Sequence, residues 1–346
     1  MDRLEKARMA QEKYKKSKID VIEKDLPLPG IRKARFYYPF TTLLLKIITK
    51  MENSKISYLH ERDVLTPVGR PVIFANTHRF KPDLEKISLS TKKPSFVVAS
   101  DFVNSYKTIN GWYFGTRPTI FVDPYSKEDK RYTYEMMVKY LKSGLDCMIF
   151  PEAVWNLSKN KIVLDPFFGT VRAALETNAV IVCTAIERYD KEFIINRNGY
   201  IDPMPILRKY TDLSFTELDK TEEGKNIQEE IVTECNVMLR DTMATLLFEI
   251  WADYAMKNGI TKRKEISDTY WKEILEFLMG EWKGYKMQDN VEQQYQNKND
   301  IEYNEVQRDL SMIRNNPNDN NLFMNIPDER YKKYLDTIDS LNVKKR

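Results

Sequence analysis

The chain has 346 residues, 42% hydrophobic and 12% aromatic, which is enough to bury a sizeable core and rules out a disordered polymer. Residues 1–70 hold 16 Lys and Arg against 9 Asp and Glu, while the remainder is slightly acidic, for a formal net charge of +4. No apolar run approaches the roughly 18–20 residues needed to span a bilayer, the N-terminus does not read as a signal peptide, and Cys147, Cys183 and Cys235 are too few and scattered for a disulfide framework or zinc site. The expected setting is cytoplasmic and reducing.

Residues 1–24 alternate charges with sparse apolar positions and read as an exposed, solvated helix or a frayed tail. Leu26-Pro27-Leu28-Pro29-Gly30 breaks the chain. Ile31 to Lys50 then places a basic cluster ahead of an aromatic and aliphatic run. This suits a helix over 36–50 lying in a membrane interface, with Lys and Arg reaching anionic headgroups. Residues 1–60 are therefore expected to form a basic, interfacial N-terminal segment, peripherally associated with the inner face of the membrane.

From 61 to 204 short apolar runs alternate with helix-like segments, the pattern of an α/β domain with a mixed, largely parallel central sheet flanked by helices. Strands are expected at 71–75, 95–99, 118–122, 146–150, 179–186 and 192–196. Helices are expected at 83–90, 127–143 and 167–177, with Ser126 as N-cap of the second. Several strands are apolar throughout, as expected when both faces are covered. Residues 205–346 form a helical C-terminal extension. Helices are expected at 222–258, at 268–287 with Trp271, Trp282 and Tyr285 as packing contacts, and at 326–341, around a polar, partly disordered stretch at 289–321.

The chain has only two histidines, so little else offers an imidazole near neutral pH. His78 follows the run Pro71-Val72-Ile73-Phe74, where a buried strand should emerge into a loop. Asp83 comes five positions later, after Pro82, which disfavours helix at Lys81 and suits the start of a helix near Asp83. The intervening peptide can fold back, so that the carboxylate orients the imidazole as a general base. Two more segments end strands on polar residues: Gly115 to Asp123, and Met148-Ile149-Phe150-Pro151-Glu152. Ligand sites in open α/β sheets gather at such carboxyl ends.

In this order the segments resemble the glycerolipid acyltransferases, which acylate glycerol-3-phosphate and lysophospholipids. The family's first motif, Asn-His, four residues, then Asp, is echoed by Asn76-Thr77-His78-Arg79-Phe80-Lys81-Pro82-Asp83, with one extra residue between Asn and His. The second, a glycine and an apolar strand ending in Asp-Arg, is echoed by Gly115 to Asp123. The third, Phe-Pro-Glu-Gly-Thr-Arg, is echoed by Phe150-Pro151-Glu152, and the fourth loosely by Ala179 to Ile186. The resemblance implies O-acyl transfer with His78 and Asp83 as the catalytic pair, and backbone N–H groups near the His78 loop for the oxyanion. It also implies substrate binding by Glu152, Arg79, Asp123, Gly115, Arg117 and Pro151. Acyl-CoA or acyl-carrier protein would be the co-substrate donor, with no bound cofactor and no metal, and a membrane lipid surface would be the partner. The chain departs from the family where Pro124 follows Asp123 and where Ala153, Val154 and Trp155 follow Glu152. An arginine fork suits a phosphate, and neither proline nor tryptophan replaces it. Those departures motivate the alternative of an inactive membrane-surface binding or scaffold protein with the same fold. A metal-dependent hydrolase needs more imidazole than the chain offers. Nucleic-acid binding is not expected, because the aromatics at 36–40 lie in an apolar run rather than a basic groove.

Overall fold

The apolar runs become seven strands of one sheet in the computed structural model, which describes residues 3–59, 69–80, 82–100, 102, 106–107, 109–123, 126–153, 156 and 163–259. The elements in chain order are α1 (Arg3–Glu23), α2 (Ile31–Met51), β1 (Lys55–Tyr58), β2 (Val72–Asn76), α3 (Asp83–Thr91), β3 (Ser95–Ala99), α4 (Ile109–Gly115), β4 (Thr119–Phe121), α5 (Lys127–Lys142), β5 (Asp146–Ile149), α6 (Gly169–Thr177), β6 (Val180–Tyr189), β7 (Glu192–Ile201), α7 (Met204–Tyr210), a short 3₁₀ turn (Leu218–Lys220) and α8 (Glu222–Lys257). The strand order is β1-β7-β6-β2-β5-β3-β4. The five strands from β6 to β4 run parallel, β7 is antiparallel to β6, and β1 is parallel to β7. The fold is the mixed, largely parallel α/β sheet that the pattern predicts.

Side chains of a strand alternate between faces. Ile73, Ala75, Cys147, Ile181 and Cys183 meet α5, α6 and α8 on one face, while Val97, Met148 and Ile186 meet Ile87 of α3 on the other. Both faces are therefore covered, which explains why these strands read as continuous apolar runs. All three cysteines are buried free thiols. Ser126 caps α5 by accepting from the Asp129 amide at 3.1 Å.

Helix α1 is not the solvated tail its charges suggest. Lys18 is buried, and its ammonium reaches the Phe121 carbonyl at 2.9 Å, Thr133 Oγ1 at 2.8 Å and Asp129 Oδ1 at 2.7 Å. The Tyr14 hydroxyl donates to the Thr119 carbonyl at 3.0 Å and accepts from the Phe121 amide at 3.1 Å. Helix α1 thus satisfies the free edge of β4, which explains its order despite a weak apolar stripe.

Helix α2 starts earlier than expected, after Gly30 at φ +80°, and carries Pro39 within it. Ala34, Thr41 and Leu45 face the protein, while Phe36, Tyr37, Phe40, Leu43, Ile47 and Met51 are exposed.

Strand β7 runs to Ile201, well beyond the expected 196, and β1 was not expected. Polar residues mask both. Asn196 of β7 is buried because its amide donates to the Leu246 carbonyl and to Glu249 Oε2, both on α8. Gly199 lets α8 approach: a Cβ there would sit 2.7 Å from Thr242 Cγ2 and 2.8 Å from Leu246 Cδ1. The helices expected at 268–287 and 326–341, and the polar stretch at 289–321, lie outside the described residues.

Candidate active site

Strand β2 delivers His78 to the carboxyl edge of the sheet. Its last residue, Asn76, ties β2 to β5 through a hydrogen bond that its side-chain amide donates to the Ile149 carbonyl at 3.0 Å. Thr77, the extra residue of the first motif, continues the ladder to β6. Its N–H donates to the Thr184 carbonyl at 3.0 Å, and its Oγ1 accepts from the Ile186 amide at 3.1 Å. The side chain replaces a backbone acceptor where β6 shifts register between Cys183 and Ala185.

The chain then winds around one carboxylate. Asp83, the first residue of α3, is fully buried, and its Oδ2 accepts from the Arg79 amide at 2.6 Å and the Phe80 amide at 2.9 Å. The same oxygen lies 3.3 Å from His78 Nδ1. Pro82 sits at the helix N-cap, so the chain turns into α3 there. Burial pushes the Asp83 carboxyl above its ordinary range, and the bonds from His78, Phe80 and Arg79 oppose this. The His78 ring keeps some exposure and packs on Phe150, with ring centroids 4.3 Å apart.

Strand β5 supplies the second wall. Phe150-Pro151-Glu152-Ala153 forms a tight turn closed by the Ala153 amide on the Phe150 carbonyl at 2.9 Å. Glu152 is buried; its Oε1 accepts from the His78 amide at 3.1 Å and its Oε2 from the Leu164 amide at 2.8 Å. Burial raises its carboxyl to about 7 against these bonds. The His78 carbonyl accepts from the Asn156 amide at 2.6 Å.

The family model described as Acyltransferase matches residues 54–187, a span from β1 into β6 that holds every residue of this site. Residues 54–187 are thus similar to an acyltransferase-family domain. Among solved structures, the chain is similar to the crystal structure of the 1-acyl-sn-glycerophosphate (LPA) acyltransferase PlsC from Thermotoga maritima. The identity is 14% and the TM-score 0.40, over 64% of this chain and 88% of that one. A comparison with curated proteins gives no match.

Within the matched span, His78, Asp83, Pro151 and Glu152 come together, whereas the other expected binding residues lie apart. Arg79 turns inward and is buried, its Nε 3.6 Å from Glu187 Oε2. Asp123 follows the edge strand β4, three strand spacings from β2, or about 14 Å across the sheet. Its carboxylate pairs with Lys15 of α1 at 2.7 Å, and its amide donates to Asp129 Oδ2 at 2.7 Å. Gly115 ends α4, with open space where a Cβ would point. The Arg117 guanidinium lies 4.4 Å from the Tyr113 ring centroid and 3.5 Å from Ser88 Oγ, facing the α3–α4 side.

The backbone expectation also needs correction. The N–H groups of residues 78, 79 and 80 all end on the carboxylates of Glu152 and Asp83, so the start of the loop holds His78 rather than an oxyanion. Ala153 stands where the family motif has glycine and adopts φ +58°, the left-handed conformation that glycine enters freely. Phe150, Asn156 and Thr77 were not singled out as functional from the sequence. Only the extra residue of the first motif hinted at Thr77, since ring packing and a carbonyl contact leave no spacing signal.

Proposed function

We propose that this domain moves a fatty acyl group from a thioester donor, acyl-CoA or acyl-carrier protein, to a hydroxyl of a glycerol-phosphate or lysophospholipid-type acceptor. The observation that carries this reading is the buried Asp83 carboxylate beside His78 Nδ1 at the carboxyl end of β2. Asp83 would hold the Nδ1–H tautomer and stabilise the imidazolium, so Nε2 takes the acceptor's hydroxyl proton. The acceptor oxygen then attacks the thioester carbonyl carbon. The tetrahedral intermediate collapses with cleavage of the C–S bond, and the departing thiolate receives the proton from His78. The products are an ester and a free thiol, and the ledger closes without an external oxidant or reductant.

Helix α2 supports a lipid surface as partner. Its exposed Phe36, Phe40, Leu43 and Ile47 are flanked by Arg32, Lys33, Arg35, Lys46 and Lys50, the composition of an interfacial helix. No helix among the described residues is long and apolar enough to cross a membrane. Replacing Phe36 and Phe40 with Glu should cut sedimentation with anionic lipid vesicles at least tenfold while leaving the melting temperature unchanged. Equal sedimentation would remove α2 as the contact.

The test of the chemistry is thiol release from a thioester donor across a panel of lysolipid and glycerol-phosphate acceptors. His78→Ala should lower kcat by about 10³-fold or more with the fold intact. Turnover at the native rate in that variant overturns the mechanism. No turnover by the native chain on any acceptor favours the inactive binding protein suggested by Pro124 and Ala153.

A further inference from the structure

We propose that Glu187 and Trp251 are positioning residues that fix the His78 loop through Arg79, so that helix α8, beyond the acyltransferase domain match, takes part in setting the site. The inference rests on the acyl-transfer reading for its kinetic consequence and on geometry for its structural one.

Arg79 directly follows His78, and two different devices hold it. Its main-chain N–H donates to Asp83, while its side chain turns into the interior toward Glu187 at the end of β6. Glu187 Oε2 lies 3.6 Å from Arg79 Nε and accepts from the Trp251 indole N–H at 2.8 Å. Glu187 Oε1 accepts from the Arg188 amide at 3.2 Å. The Arg79 guanidinium carbon also sits 5.7 Å from the Trp251 ring centroid, within cation–π range. Arg79, Glu187 and Trp251 are all at most 2% exposed. A buried ion pair of this kind is held only where further hydrogen bonds satisfy the carboxylate, and Trp251 is one of its donors.

The anchor is itself tied to the sheet. Two turns before its described end, α8 is tied to β7 by Asn196, which donates to the Leu246 carbonyl and Glu249 Oε2. Phe80, also buried, packs edge-on against Phe193 of the same hairpin. The loop is thus held on both sides of His78: by Thr77 on β6 before it, and after it by the bonds to Asp83 and by Arg79 against Glu187 and Trp251. On this reading a displaced Arg79 side chain shifts the main chain next to His78 and, with it, the His78 ring. The orientation of catalytic groups is sensitive to displacements of about 1 Å.

The test uses the full chain carrying His60→Asn, which leaves His78 as the single imidazole, with ¹⁵N-labelled histidine. Trp251→Phe removes the indole donor while keeping an aromatic ring, and Glu187→Gln removes the charge. Arg79→Lys keeps a cation but not the planar fork. Trp251→Phe is expected to fold, to lower kcat about threefold to tenfold with KM for donor and acceptor unchanged, and to move the His78 ring ¹⁵N signals away from the pure Nδ1–H tautomer. Glu187→Gln should do the same more strongly, and Arg79→Lys should retain more turnover than Arg79→Met. A folded Trp251→Phe variant with native ring signals and native kcat overturns the proposal. If the native chain shows no acyl transfer, the ring signals decide alone: unchanged signals overturn it and shifted signals support it.

Discussion

Replacing Glu85 with Gln should stabilise the protein at pH 8 and leave it nearly unchanged at pH 5. Glu85 lies on α3 two residues after Asp83, and its Oε2 is buried with no hydrogen-bond partner among the described residues. Burial moves its carboxyl from the ordinary 4.5 up to about 7. The nearby charges of Asp83 and Glu52 add to this, while its backbone bond and Lys86 oppose it. A carboxyl raised in the folded state favours folding while it keeps its proton. That contribution is complete below pH 4.5 and is lost as the pH rises through 7. The span between the two values is worth about 3 kcal/mol at most. Gln has the shape of the protonated acid and no charge to desolvate, so the variant escapes this loss. Urea unfolding of both proteins at pH 5 and pH 8 tests it, because the titrating groups that do not interact with Glu85 cancel in the difference. The variant should gain about 1–3 kcal/mol more at pH 8 than at pH 5. An equal difference at both pH values, or a loss that grows with pH, would refute the reasoning.

Two further substitutions probe the frame of the site. Ala153→Gly should raise stability by about 0.5–1 kcal/mol, since the relief of a left-handed alanine exceeds the entropy that glycine adds to the unfolded chain. Thermal melts read this directly. Tyr14→Phe should cost about 1–3 kcal/mol, because the hydroxyl serves both the Thr119 carbonyl and the Phe121 amide of the edge strand. Hydrogen exchange at the Phe121 amide should then accelerate, and an unchanged rate would show that α1 does not seal β4.

The central strands and their order along the chain were readable because burial on both faces leaves continuous apolar runs. Where strands are partly polar, the signal fails. Asn196 and Gly199 make the far half of β7 look like a loop, although one is bonded to α8 and the other makes room for it. Helix α1 failed in the opposite sense. Its Lys18 reads as solvated from sequence and is buried by three acceptors that lie more than 100 positions away. The pairing of His78 with Asp83 was legible because Pro82 forces a local turn. The inward course of Arg79 was not, since its partners Glu187 and Trp251 are 108 and 172 positions distant and share no motif with it.

Three buried carboxylates converge on the segment that carries His78. Asp83 takes the N–H groups of 79 and 80, Glu152 takes that of 78, and Glu187 faces the side chain of 79. Burial lifts all three carboxyls above their ordinary range, and the bonds and charges of their partners oppose this. Loss of one partner therefore costs more than one hydrogen bond, because a buried carboxylate is left under-satisfied. The other expected binding residues show no such convergence. Asp123 is engaged by Lys15 across the sheet, and Arg117 stacks on Tyr113. Substitutions at Asp123 or Arg117 leave the bonds to residues 78–80 in place, whereas substitution of Asp83, Glu152 or Glu187 removes one of the contacts that hold this segment.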